Sequence, residues 1–302
     1  MKMKLLSKSR RNVGYFIPLF LGMYLFKIWP CVQVILTSFK TEYNYSTKTY
    51  SHMGFSNYTQ ILNDSDFINS IINTGIYVVI VVLAIVIIAT LLSWCLFRIK
   101  WVSNMLQFFV FLPLISSDIA IGMSWRYIFS DRGIINSILS ALSYNGIGWL
   151  SDKNISLLIF ILYGIWFSLP MATLLLLSAL QRLNKNLLIA AKLDKASEMK
   201  IFVQIGVQHL KSTIFTVTII NCISSWLAFN GLFPLFSGLP GPYYNLYTVV
   251  YYIYEKIGDG NRAVGEACAA SVLLLVFVSI FLIMRCLCGD AKKEQKESLI
   301  SS

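Results

Sequence analysis

Six long runs of apolar residues, almost free of Asp, Glu, Lys and Arg, divide this chain of 302 residues. They lie at about 13–36, 71–97, 105–129, 155–180, 213–237 and 267–288. A bilayer core about 30 Å thick is crossed by roughly 20 apolar residues at 1.5 Å each, and every run is long enough. Backbone polar groups in lipid must pair within their own segment, so the chain reads as an all-α integral membrane protein with six transmembrane helices. The second and third runs lie close enough to predict a tight helical hairpin. Charged residues are only 13% of the chain, against about a quarter in soluble domains, and hydrophobic ones are 57%. That balance excludes both an ordinary soluble domain and intrinsic disorder.

Six spans put both termini on one side, and the excess of Lys and Arg in alternate connections identifies that side as cytoplasmic. The N-terminal tail 1–12, the turn at Arg98 and Lys100, the segment 181–212 and the C-terminal end with its tail 289–302 hold 17 Lys and Arg against five Asp and Glu. The other three loops hold six bases against eight acids. The net charge of +11 therefore records membrane orientation, and argues against a nucleic-acid partner, which would require a basic face. A basic leader before an apolar run also resembles a secretory signal. The first run is too long for that, contains Lys27 and lacks a small-x-small exit, so a retained anchor fits better.

Catalytic and metal-binding patterns are missing. The six cysteines, Cys31, Cys95, Cys222, Cys268, Cys286 and Cys288, lie in spans or at their ends and read as small apolar fillers. His52 and His209 fall on opposite sides of the membrane. No G-x-x-x-x-G-K-[ST], G-x-S-x-G or H-E-x-x-H occurs. No cofactor or metal is implied, and any ATP hydrolysis belongs to a partner chain. Six helices are also few for a solute path that alternates its access between two halves, so the chain is expected to form a dimer or to pair with a similar protein, the path lying between them.

The segment between spans four and five is longer than a turn requires. Leu187 to Leu193 reads as a short apolar helix, Asp194 to Ser197 interrupts it, and Met199 to Leu210 resumes with Ile201, Phe202, Ile205 and Leu210 at helical spacing. Small Ala190, Ala191, Ala196 and Ser197 leave a face open to close approach. An amphipathic interfacial helix is the plainer alternative.

Here the sequence resembles the membrane subunits of binding-protein-dependent ABC importers, the sugar permease group of maltose and glycerol-phosphate permeases. IAAKLDKASEMKIF is similar to that group's EAA loop, E-A-A-x-x-D-G-A-x-x-x-x-x-F, with Ala190, Ala191, Asp194, Ala196 and Phe202 at matching positions. The leading Glu is Ile189, the Gly after Asp is Lys195, and the later Leu-Pro is Val207 and Gln208. Losing that Gly removes the residue best suited to a left-handed turn. Softer matches follow in the same order from about residue 13 to 285, among them FLPLISSDIAIGMSWRYIFSDRGIINSIL and FSGLPGPYYNLYTVVYYIYEKI. The resemblance implies the type I importer permease fold, with residues 190–202 forming a coupling helix in a cleft of the ATPase. It also implies four partner chains: a second, similar permease, two ATP-binding subunits and an extracytoplasmic solute-binding protein.

Sugars are recognised by planar polar groups with aromatic faces beneath them. The fifth run offers Asn221, Ser224, Ser225, Trp226 and Asn230, of which Asn221, Ser225 and Trp226 fall near one helical face. These residues are expected to line the path, the alternative being helix packing. Tyr77, Trp125 and Trp166 are possible stacking surfaces. Asp118 is a functional candidate because a carboxylate in a span is costly, although its place after Pro113 suggests the outer surface; Arg126, eight residues on, is off its face. The turn cluster Ser237 to Pro242 is expected outside, near a docked binding protein or as a plain connection. The expected function is import of a carbohydrate, most naturally an oligosaccharide, in the cell membrane. The alternatives are another solute, such as glycerol phosphate, a polyamine or a metal-chelate anion, on the same architecture, or a stand-alone channel or secondary carrier.

Overall fold

The computed structural model describes residues 16–258 and 263–301, so the expected tail 1–12 lies outside the described residues. In chain order the helices are α1 (Ile17–Ser38), α2 (Ser56–Asn63), α3 (Ser65–Arg98), α4 (Lys100–Ile115), α5 (Asp118–Ile128), α6 (Ile134–Ala141), α7 (Lys153–Leu180) and α8 (Lys185–Leu193). A short helix, α9 (Glu198–Ile201), runs through a π-helical stretch, Phe202–Val207, into α10 (Gln208–Trp226). Then come α11 (Leu232–Leu235), α12 (Val249–Gly258) and α13 (Val264–Ser301). Between α1 and α2, β1 (Lys40–Thr41) pairs antiparallel with β2 (His52–Met53), Lys40 opposite Met53 and Thr41 opposite His52.

Among the described residues, four helices are long and apolar enough to cross a bilayer: Ile17–Ser38, Ser65–Arg98, Lys153–Leu180 and Val264–Cys286. The expected third and fifth spans are not continuous helices. Pro113 lies inside α4, and Ser116 and Ser117 are extended (φ −96°, ψ 154° and φ −70°, ψ 137°) before α5 restarts at Asp118. A proline has no N–H to donate and crowds the preceding turn, and this helix ends two residues after it. The fifth run stops as a helix at Trp226; Leu227 to Gly231 then separate it from the four-residue α11. Between α3 and α4 only Ile99 is extended (φ −107°, ψ 91°).

The chain divides into two compact units. One takes in the chain up to Phe67 with Tyr252–Val276. Its helix α1 exposes an apolar surface along its length, Phe26 being 81% exposed, as a helix against lipid does. Buried Asn57 ties the end of α1 to β1: its Nδ2 donates to the carbonyls of Ser38 at 2.8 Å and Lys40 at 3.0 Å. Lys256 Nζ lies between Asp64 Oδ2 at 3.2 Å and Glu266 Oε2 at 3.1 Å. Fully buried Tyr252 donates its hydroxyl to Asp64 Oδ2 at 2.9 Å, and the Asp66 N–H donates to Asp64 Oδ1 at 2.9 Å. Burial alone would raise the pKa of Asp64, but these hydrogen bonds and the Lys256 charge outweigh it and hold the carboxyl below its ordinary range. Burial would likewise lower Lys256, yet its hydrogen bonds to Glu266 and Asp64 raise it.

The other unit is Ile68–Tyr251 and the chain from Phe277. In it α10 packs along α7, α4 also packs on α7, and α11 packs on α5. Ile85, Leu176, Leu180, Leu210, Val217 and Leu232 are wholly buried there. The interruptions at Ser116 to Ser117 and at Leu227 to Gly231 bring polar backbone and side chains among otherwise apolar helices.

Candidate functional site

Where the helices break, two cavities open inside the second unit. One, of about 330 Å³, is lined by Tyr77 from α3, Asp118 from α5, Tyr163, Phe167 and Ser168 from α7, Ser224 and Ser225 from α10, and the stretch Leu227 to Leu232. The other, of about 270 Å³, is lined by Pro113 and Ser116, by Phe167 and Ser168, and by Asn221 and Ser224. Asp118, Phe167, Ser168 and Ser224 belong to both.

Asp118 is the first residue of α5, where the unpaired N–H groups of a helix start favour a negative charge. That position explains how a carboxylate is tolerated in an apolar run. It lies in the wall of both cavities. Asn230 Nδ2 donates to Asp118 Oδ2 at 3.5 Å, and the Tyr163 hydroxyl donates to the Asp118 main-chain oxygen at 3.5 Å. Only the Asn230 contact reaches the carboxylate, and it is long, so the carboxylate oxygens keep capacity for a further partner.

The aromatic wall is built by stacking. Tyr77 packs on Phe160 with ring centroids 4.3 Å apart, Tyr163 on Phe167 at 5.8 Å, and Trp125 meets Tyr163 and Trp166 at 5.6 Å each. Two glycines permit the close approach. A Cβ at Gly231 would fall into the Tyr163 ring and one at Gly164 onto the Tyr77 hydroxyl. Flat apolar rings beside Asp118, Asn230 and the Ser168, Ser224 and Ser225 hydroxyls are suited to a ligand with a C–H face and hydroxyl edges.

The expected path residues are thus only partly together. Ser225 and Asn230 line the larger cavity and Asn221 the smaller. Asn221 spends its Nδ2 on the Val217 carbonyl of its own helix at 2.8 Å. Trp226 lines neither; it packs edge-on to Phe277 at 4.5 Å, a core role. Tyr163, Phe167 and Ser168 were not singled out in the sequence. Their signal was an aromatic pair spaced i, i+4 with an adjacent serine just ahead of Pro170.

The segment after α7 has two faces. On one side Leu187, Ile189, Leu193 and Met199 are exposed, Leu193 by 78%. Ala190, Asp194 and Ser197 are exposed there too, and Ala191 and Ala196 half-buried. Asn184 caps α8 by accepting from the Asn186 N–H at 3.0 Å, and the Ser197 hydroxyl caps α9 by accepting from Lys200. Lys195, standing where the EAA pattern has Gly, is left-handed with φ 55°. On the other side Phe202 meets Trp94 of α3 at 5.3 Å, Glu198 pairs with Arg98, and Arg98 lies 5.6 Å over the Trp94 ring. Gly206, in the π-helical stretch, backs onto Trp94; a Cβ there would come within 2.7 Å of the ring. His209 Nε2 donates to the Ala179 carbonyl at 3.0 Å, tying α10 to the end of α7.

A membrane fold of broken helices around a polar cavity, with a solvent-facing interhelical segment pinned from behind, defines a multi-pass transport subunit. Residues 85–287 match the family described as "binding-protein-dependent transport system inner membrane component"; the chain belongs to that family, and is a transport component, not an enzyme. Among curated relatives, the arabinooligosaccharides transport system permease protein AraP of Bacillus subtilis (strain 168) is 28% identical over 293 residues, covering 95% of this chain and 91% of the relative. The sn-glycerol-3-phosphate transport system permease protein UgpA of Agrobacterium fabrum is 27% identical, with 84% and 86% covered. The lactose transport system permease protein LacF of Rhizobium radiobacter is 25% identical, with 86% and 88% covered. A bacterial ABC transporter involved in the import of the acidic polysaccharide alginate shares the fold at a TM-score of 0.81, with 21% identity and 94% and 97% covered. The alginate transporter in complex with an alginate pentasaccharide-bound periplasmic protein gives a TM-score of 0.79, with 18% identity and 93% and 94% covered. The chain has the type I ABC permease fold.

Proposed function

We propose that this chain is a membrane subunit of an ABC importer for an oligosaccharide and forms half of its translocation path. The observation that carries the solute class is the pair of cavities around Asp118, Phe167, Ser168 and Ser224, where aromatic faces and hydroxyl-matching groups meet inside the spans. Relatives that carry arabinooligosaccharides and lactose support the same reading. The path is completed by a second, similar permease in the cell membrane. An extracytoplasmic binding protein delivers the solute, and two ATPase subunits supply the energy. Both termini and the segment 181–212 lie in the cytoplasm, as their excess of basic residues supports.

Coupling runs through Ala190, Ala191, Asp194, Ala196, Ser197 and Phe202. The exposed apolar side of α8 docks in the ATPase, while Phe202, Glu198 and Gly206 grip Trp94 and Arg98 at the end of α3. Closure of the ATPase pair therefore moves α3 and α10 together and changes which side the cavities open to. Ile189, in place of the family's Glu, exchanges a charged contact for an apolar one.

The test is co-purification and uptake in one strain. The ATPase should elute with the wild-type permease and be lost when residues 189–202 become a Gly/Ser linker, with uptake of labelled arabinotriose and lactose falling to background. An ATPase that stays bound to the linker variant sinks the coupling assignment. Normal uptake in nucleotide-depleted cells sinks the importer in favour of a channel or carrier.

A further inference from the structure

Asp118 is the only ionisable carboxylate or base in the wall of either cavity; no Lys, Arg or His lines them among the described residues. Its one side-chain hydrogen bond among the described residues is the long contact from Asn230. Arg126, the other charge on α5, is exposed and lines neither cavity. A solute crossing here meets a carboxylate that no Lys, Arg or His among the described lining residues neutralises, in surroundings poorer in water than the bulk, where like charges repel more strongly than in solution. A hydroxyl can donate to the same oxygen and gain a charge-assisted hydrogen bond. We infer that Asp118 is a specificity residue that favours uncharged, hydroxyl-rich oligosaccharides and rejects anionic ones such as uronates or sugar phosphates in this half of the path. The inference rests on the carbohydrate reading above and narrows it: of the solutes named for the relatives, the neutral ones fit this wall and glycerol phosphate does not.

The experiment uses the importer purified with its partner subunits and measures equilibrium binding to the permease complex, without the solute-binding protein, so that the delivering protein's own selectivity does not enter. The probes are glycosides of arabinotriose and of lactose, each carrying either a carboxymethyl group or its uncharged carboxamide at the reducing end. Members of a pair match in size and differ in charge. Wild type should bind the carboxamide at least tenfold tighter than the carboxylate, and Asp118→Asn should shrink that ratio to within about threefold. Asp118→Ser, a second uncharged variant, guards against one replacement failing to assemble, and co-elution of the ATPase reports assembly in each. A wild-type ratio below threefold, or a ratio unchanged in assembled variants, overturns the charge filter and leaves the carbohydrate reading standing. Binding of neither member of either pair overturns the carbohydrate reading, and the filter with it.

Discussion

Asp64 and Asp118 are both carboxylates in a chain with few charges, yet their surroundings are opposite. Asp64 is saturated: Lys256 at 3.2 Å, the Tyr252 hydroxyl at 2.9 Å and the Asp66 N–H at 2.9 Å fill its oxygens, and Glu266 shares the same lysine. Asp118 has one long contact from Asn230 and faces a cavity. A closed polar network fixes a structure because removing one member strands the others. An open one leaves capacity for something that comes and goes. The contrast separates a joint from a binding wall by hydrogen-bond accounting alone.

The sharpest way to break the contrast is at its centre. Lys256→Met strands Asp64 and Glu266 half-buried and should cost about 2 kcal/mol, less than for a fully buried pair because the groups are partly exposed. A lower melting temperature of the detergent-purified protein at neutral pH reports it, and an unchanged one would make the cluster incidental. Next, Gly231→Ala puts a methyl into the Tyr163 ring and should cost about 1.5 kcal/mol by overpacking. It should also cut arabinotriose uptake at least about tenfold while the ATPase still co-elutes. At the coupling segment, Lys195→Gly relieves a left-handed lysine and should gain about 0.5–1 kcal/mol in the same melting assay. Smallest is Asp118→Asn, expected within about 0.5 kcal/mol of wild type, since little in the fold depends on that charge. A large loss there would show that Asp118 is a second structural joint.

The pH dependence of stability should report the Asp64 cluster. The folded pKa of Asp64 is below its unfolded one, so its stabilisation is present above the ordinary value of 3.8 and is lost as pH falls through the folded value. Lys256 is raised, so its share is complete below 10.5 and fades as pH rises through its folded value. Both shares are therefore present at neutral pH. Melting temperature should drop below about pH 4, and Asp64→Asn should flatten that drop.

Much of this was legible in the sequence, and the exceptions share a cause. The coupling segment could be read residue by residue because helix periodicity and capping are local: Lys185–Leu193, the break at Asp194 to Ser197 and the restart at Glu198 appear as the spacing of apolar residues suggests. Even the missing glycine marked a backbone feature, since Lys195 does adopt the left-handed conformation. The breaks in the third and fifth runs were hidden because hydropathy over about 20 residues measures whether a stretch tolerates lipid, not whether it remains one helix. Pro113 was visible, but not that the chain would restart at Asp118 and turn its carboxylate inward. Trp226 shares a face with Asn221 and Ser225 by spacing, yet finds Phe277 as its neighbour. The Arg98 to Glu198 pair joins residues a hundred positions apart, which no local pattern encodes.

The π-helical stretch Phe202–Val207 has a mechanical meaning. Such a turn holds one residue more than the α-helical ladder on either side requires, so the rod between the gripped end and the cavity carries a spare rung. Excising a single residue within 202–207 would let the rod run as plain α-helix and keep Asn221, Ser224 and Ser225 in phase with Asp118, whereas excising one from the α-helical stretch that follows would swing everything downstream by about 100°. The surplus amino acid is thus taken up locally, and the stretch that holds it can lose a residue that the regular helix beyond it cannot.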